Sequence, residues 1–283
     1  VSTGFQEGTT GKNFFTYKGS NTDWLGFDQT ARVLPGAVPN SADFKNLFDK
    51  TDATKIDRIN SISKSFSTNM VPYLSKAKPD ADLQIAINRR FALGDISLGT
   101  VSALGYNATN TSESGFRAAY VAYPDTSYRY LQNSYSSKVR ISLLSNWTLT
   151  FGDNQKIEFR NIFNNNGVSK TVLKEGFDFY RASNERSYEL GYESRLTYSG
   201  QLGGTHKFKN DAIQFDWLVG YSYANKNQPD VRRVKTVAFD TEPETQYMLL
   251  NSTQTVPDAL GRMFFKNEEN IKIEINCSKN DFC

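Results

Sequence analysis

The stretch 138–151, KVRISLLSNWTLTF, decides the fold class. Val139, Ile141, Leu143, Trp147, Leu149 and Phe151 fall on one parity, with Ser145 the one polar residue among them. Lys138, Arg140, Ser142, Asn146, Thr148 and Thr150 fall on the other, with Leu144 the exception. Period-two alternation of this kind gives a β-strand one apolar and one polar face. At ~3.3 Å per residue and a tilt of ~40°, residues 139–151 cross roughly 30 Å, the thickness of a bilayer's hydrocarbon layer and about twice the reach of most soluble strands. The same division recurs in 213–224 and 188–208, and in shorter form in 83–91, 96–106 and 157–163. The expected fold is all-β: an antiparallel transmembrane β-barrel segment of about seven or eight long strands.

Connection lengths carry the second signal. Leu93-Gly94-Asp95, Gly152-Asp153-Asn154-Gln155 and Lys209-Asn210-Asp211 have hairpin chemistry and recur at equal intervals. Long polar stretches, 20–80, 107–134, 165–186 and 225–260, stand between them and read as loops, with a short helix expected within 41–65. Tight turns on one side and long loops on the other are the pattern of outer-membrane barrels.

Composition narrows the classes. Of 283 residues, 38% are hydrophobic and 13% aromatic, which is polar for a globular chain but too rich in rings for simple disorder. No run approaches the ~20 apolar residues of a membrane helix. With 33 basic and 30 acidic side chains there is no cationic field that argues for nucleic acid. Two cysteines, Cys277 and Cys283, and one histidine, His206, leave no material for a disulfide scaffold, a thiol-metal site or a His-rich centre in the body of the chain. His206 lies on the apolar parity beside Phe208 and near a turn, an interfacial position rather than that of a base. Gly203-Gly204 precedes no helix and is not a phosphate loop. No enzyme and no cofactor is expected. A chain that starts at Val1 is expected to be processed or a fragment.

Asp23-Trp24-Leu25-Gly26-Phe27-Asp28, followed by Arg32-Val33-Leu34-Pro35, resembles a loop motif in the barrel domain of TonB-dependent receptors of the Bacteroidota type. Asn133-Ser134-Tyr135, Phe159-Arg160-Asn161-Ile162-Phe163-Asn164 and Asn227-Gln228-Pro229-Asp230-Val231-Arg232-Arg233 extend the resemblance in the same order, over about residues 5–234. The resemblance implies a ~22-stranded barrel in the outer membrane of a Gram-negative cell. It also implies a separate plug domain and import of a scarce nutrient with energy relayed by TonB. The implied partners are outer-membrane lipid, the protein's own plug, TonB, and a siderophore, vitamin, peptide or oligosaccharide ligand. The chain departs from that pattern in having about a third of the strands and no visible plug. It therefore reads as a partial barrel domain over 1–262, with 263–283 either continuing the barrel or forming an aberrant tail. Two other readings stand beside this one. One is a soluble or surface all-β binding module, carbohydrate-binding or adhesin-like. The other is a small closed eight-stranded outer-membrane barrel, which would remove the open edges.

Candidate ligand-binding residues are the loop aromatics Trp24, Phe27, Tyr120, Tyr123, Tyr128 and Tyr130, since rings stack on sugars and catechols. If the polar parity faces a lumen, Arg140, Glu158, Arg160, Glu193, Arg195 and Asp216 line its wall. Such charges also pair with one another for purely structural reasons, as Glu193 and Arg195 on one face would.

Overall fold

The computed structural model describes residues 1–28, 32–47, 51–67, 69–122, 125–208, 212–239, 247 and 262–281. In chain order the elements are β1 (Ser2–Gly4), β2 (Asn13–Thr16), a short 3-10 turn (Asp23–Leu25), α1 (Ser41–Asn46), α2 (Ala53–Ser65) and β3 (Tyr73–Lys76). The long strands follow: β4 (Asp80–Leu93), β5 (Ile96–Ala122), β6 (Asp125–Phe151), β7 (Gln155–Asp178), β8 (Ser183–Phe208), β9 (Ile213–Phe239) and β10 (Arg262–Asp281). The expected helix within 41–65 is thus two. Asn40 caps α1 by accepting from the amides of Ala42 and Asp43, and Asp52 caps α2 by accepting from Thr54 and Lys55.

One antiparallel sheet runs β1-β4-β5-β6-β7-β8-β9-β10, while β2 and β3 form a separate ribbon. From β4 onward each strand pairs with its neighbour in sequence, so the fold is a meander. The sheet is open. Closing a barrel takes a ladder between the first and last strands; here β1 and the unpaired length of β4 form one margin and β10 the other. The closed eight-stranded barrel is therefore not formed. Of the expected tail, residues 263–281 do not hang free: β10 pairs with β9 from Arg262↔Arg233 to Asp281↔Ile213, and 282–283 lie outside the described residues.

The long loops expected at 107–134 and 165–186 are mostly strand. The β5–β6 ladder continues to Ala122↔Asp125 and the β7–β8 ladder to Asp178↔Ser183. Alternation ends halfway along because both faces there are polar, and ladder hydrogen bonds do not depend on side-chain polarity. In 225–260, β9 extends to Phe239, while 240–246 and 248–261 lie outside the described residues.

Register aligns Ile85, Leu104, Leu143, Phe163, Tyr198, Tyr223 and Ile271 in one row across seven strands. Nearer the hairpin turns lies the row Trp147, Phe159, Leu202, Val219 and Ile275, which Thr100 and Arg89 continue on β5 and β4. One step beyond the first row, away from those turns, Asn165, Asn225 and Glu269 share a row with Tyr106, Ile141 and Leu196 and mark the band's upper edge. Among the described residues no second sheet covers this band: Leu143 is 44% exposed, and Trp147, Phe159, Leu202 and Val219 are exposed as well.

Several polar atoms within the band pair with one another, while Arg89, on the same face of β4, makes no hydrogen bond or ion pair with a described residue. Trp147 Nε1 donates to Ser145 Oγ (3.0 Å), Asn161 Nδ2 to the Ser145 carbonyl (3.2 Å) and Tyr198 OH to Asn161 Oδ1 (2.7 Å). Near the turns Trp217 Nε1 donates to His206 Nε2 (2.9 Å), whose Nδ1 meets Gln155 Oε1. His206 thus serves as a bridge between side chains on the apolar face. Gly204 makes room for this group, since a Cβ there would stand 2.3 Å from Trp217 Nε1.

Candidate functional site

Above the band, the same face of the sheet carries the N-terminal segment. Gly26, with a φ of 74°, lies so close to Gly167 that a Cβ on the latter would stand 2.5 Å from the Gly26 Cα. Asn165 Nδ2 donates to the Gly26 carbonyl (2.6 Å) and Tyr106 OH to the Trp24 carbonyl (2.9 Å). Phe27 stacks on Phe163 at 6.5 Å, and Phe14 and Phe15 meet Tyr135 at 5.4 and 5.6 Å.

Arg32 fastens this strap. Its side chain is 1% exposed and donates to both carboxylate oxygens of Asp23 (2.7 and 2.6 Å) and to Asp28 (3.4 Å). The guanidinium lies 5.0 Å from the Tyr17 ring and 4.4 Å from that of Tyr192, a sandwich of cation–π contacts. Burial works against this charge, and Asp23, Tyr17 and Asp28 outweigh it, so the Arg32 pKa is raised. Burial likewise raises the Tyr17 and Tyr192 hydroxyls.

A second arginine fastens the other end. Between Leu190 and Ser194 of β8, β9 carries one extra residue, a bulge at which Asp230 takes a φ of 62°. The bulge shifts the parity of β9, so Arg232 shares the strap's face instead of the polar one. It pairs with Asp230 and donates to Ser67 Oγ (3.2 Å) and the Asn69 carbonyl. Two of the four segments quoted for the resemblance, Asp23 to Asp28 with Arg32 and Asn227 to Arg233, therefore contain the two fastenings of the strap.

The six aromatic candidates do not form one site. Trp24 is 61% exposed beside a cleft of about 450 Å³ between strap and sheet, lined by Tyr17, Tyr73, Lys76, Tyr106, Ser169 and Tyr192. Phe27 is spent on Phe163. Tyr128 and Tyr130 stack at 4.8 Å on the opposite face, near the far end of the β5–β6 hairpin, and Tyr130 OH donates to Glu185. Burial first and Glu185 second raise the Tyr130 pKa. Tyr120 is exposed at the same hairpin end, and Tyr123 lies outside the described residues.

The six wall charges do share one face, opposite the band. Arg140 pairs in register with Asn166 and that with Arg195, while Glu158 lies opposite Thr148 and Asp216 opposite Thr205. Glu158 bridges to Lys156 (2.7 Å) and Arg160 (2.6 Å), Glu193 to Arg195 and to Lys226 (3.7 Å), and Asp216 accepts from Gln214 (2.8 Å). Arg140 has no such partner among the described residues. Sequence reasoning missed Tyr17, Tyr192, Asn165 and Arg232. Only Pro229-Asp230 within a strand pattern signalled the bulge that turns Arg232.

The chain matches no family model, no curated protein and no solved structure.

Proposed function

We propose that this chain is a wall segment of an outer-membrane β-barrel of the TonB-dependent receptor type, which in the intact protein imports a scarce nutrient: a siderophore, vitamin, peptide or oligosaccharide. The observation that carries this reading is the single-layer sheet with an apolar band that no second sheet covers among the described residues, and whose Trp, Asn, Ser and Tyr polar atoms on β6 to β9 pair largely with one another. Unpaired polar groups in hydrocarbon cost several kcal/mol each, so hydrogen bonds closed within the face, as between Trp217 and His206, suit lipid. Residues 141–151 of β6 span about 25 Å at ~3.3 Å per residue and a ~40° tilt, the height of the ~25 Å apolar belt of outer-membrane barrels. The two open margins would be paired by further wall strands in the intact receptor, since an open edge is not tolerated in a bilayer.

Three tryptophans make the test direct: Trp147 and Trp217 lie on the band and Trp24 does not. Single-tryptophan variants are reconstituted in vesicles whose acyl chains are brominated near their ends. The expected result is strong quenching of Trp147 and Trp217 and little of Trp24. Equal, weak quenching of all three, with a monomeric chain that melts cooperatively in plain buffer, would establish a soluble or surface binding module instead.

A further inference from the structure

The polar face above the band carries five cations in a staggered row over three neighbouring strands: Arg140 and Lys138 on β6, Lys170 and Lys174 on β7, and Arg117 on β5. Register places them. Arg140 lies opposite Asn166, Lys138 opposite Val168, and Arg117 opposite Tyr130, which in turn faces Gly176. Measured along β7, the row covers about 33 Å in steps of ~7 to ~13 Å at ~3.3 Å per residue.

None of the five makes an ion pair or hydrogen bond with a described residue. Their neighbours on the same face are matched: Arg195 and Lys226 to Glu193, Arg233 to Glu189, Lys235 to Glu185. Two carboxylates on this face also lack an ion pair, Glu113 opposite Ser134 and Asp82 in the row of Arg140, so the five cations outnumber them and leave a net positive field. Burial lowers the Lys174 pKa; Glu189 opposes this, and Arg117, Arg233 and Lys170 push it further down. Opposite Lys174, Gln132 Oε1 is shut from solvent with no hydrogen-bond partner among the described residues. Hydroxyls of Ser134, Ser136 and Ser142 stand on the same parity of β6, and the Tyr128–Tyr130 ring pair closes the far end.

We infer that this face binds an oligosaccharide bearing carboxylates on successive sugars, its charges meeting the cation row and a sugar ring lying against the tyrosine pair. Rings at one end and hydroxyls alongside favour a sugar backbone over an acidic peptide. The inference deepens the proposed function and rests on that reading for import, while binding itself rests on this face alone.

The test is calorimetric titration of the full chain in detergent micelles. The probes are hexagalacturonate, the neutral hexasaccharide cellohexaose and hexaglutamate. Hexagalacturonate is expected to bind, more weakly as salt rises, and the other two are not. Replacing both Lys170 and Lys174 with Gln is expected to weaken it by ~10-fold or more as charge-assisted contacts are lost. Lys272→Gln, at a cation already paired with Glu274, leaves binding unchanged. Equal binding of cellohexaose overturns the charge argument, and equal binding of hexaglutamate overturns the sugar assignment. Bromolipid quenching of Trp147 separates the two readings: quenching without hexagalacturonate binding overturns this inference alone, and binding without quenching overturns the wall reading alone.

Discussion

The two halves of the long strands share one backbone ladder and differ in what covers them. Toward the tight turns, one face is an apolar band that no second sheet covers among the described residues, with most of its polar atoms on β6 to β9 bonded to each other. Toward the far hairpin ends, the same face is covered by a strap of the chain itself, held by Arg32 between two tyrosines and by Arg232 at a bulge. The difference shows that one strand can present two kinds of surface along its length. Where lipid is proposed, alternation does the sorting; where water and protein meet the sheet, buried ion pairs and close glycine contacts do.

The largest effect that would break the comparison falls on the strap. Arg32→Met removes the buried cation that Asp23 and Asp28 share and is expected to cost about 3 to 5 kcal/mol of strap docking. Hydrogen exchange of the strap amides reads this, and the band should keep its protection. Next comes the band: Leu143→Arg should cost ~2 to 4 kcal/mol in denaturant titrations of vesicle-folded protein, whereas Ser142→Arg, one position away on the polar face, should change little. Equal costs at the two positions would erase the distinction between the faces. Gly167→Ala forces the strap off its seat at Gly26 and is expected to cost about 1 to 3 kcal/mol, seen as faster proteolysis of the strap with Trp147 quenching unaltered. Trp217→Phe leaves His206 Nε2 without its donor, an expected loss of about 1 to 2 kcal/mol in bilayers.

The smallest effect sharpens the strap's chemistry. Burial raises the Tyr17 pKa, so the docked form holds a proton that an undocked tyrosine releases near pH ~10. Tyr17 therefore contributes its full docking stability below that pH and loses it as pH rises through the higher docked value. Ultraviolet titration should show a late-ionising tyrosine that disappears in Tyr17→Phe, with strap proteolysis accelerating over the same alkaline range.

Much of the banded half was legible. Leu143, Trp147 and Phe151 announce their face by spacing alone, because a pleated strand sends alternate side chains to opposite sides whatever its neighbours are. The polar parity of Arg140, Glu158, Arg160, Glu193, Arg195 and Asp216 was legible for the same reason. The upper half was not. Stretches 107–134 and 165–186 read as loops since neither parity is apolar there, yet their backbones stay paired. Trp24 and Tyr130, both candidates as loop aromatics, end on opposite faces.

Local pattern alone determined that this chain forms long antiparallel strands with one apolar face, because side-chain parity is a property of the strand itself. Only the tertiary structure decided that the sheet stays open, that Arg32 and Arg232 bind a strap to it, and that five cations on one face are left without partners among the described residues. Those outcomes depend on which residues meet across 100 or more positions of chain, as Arg232 meets Ser67, and spacing along a sequence carries no such distances.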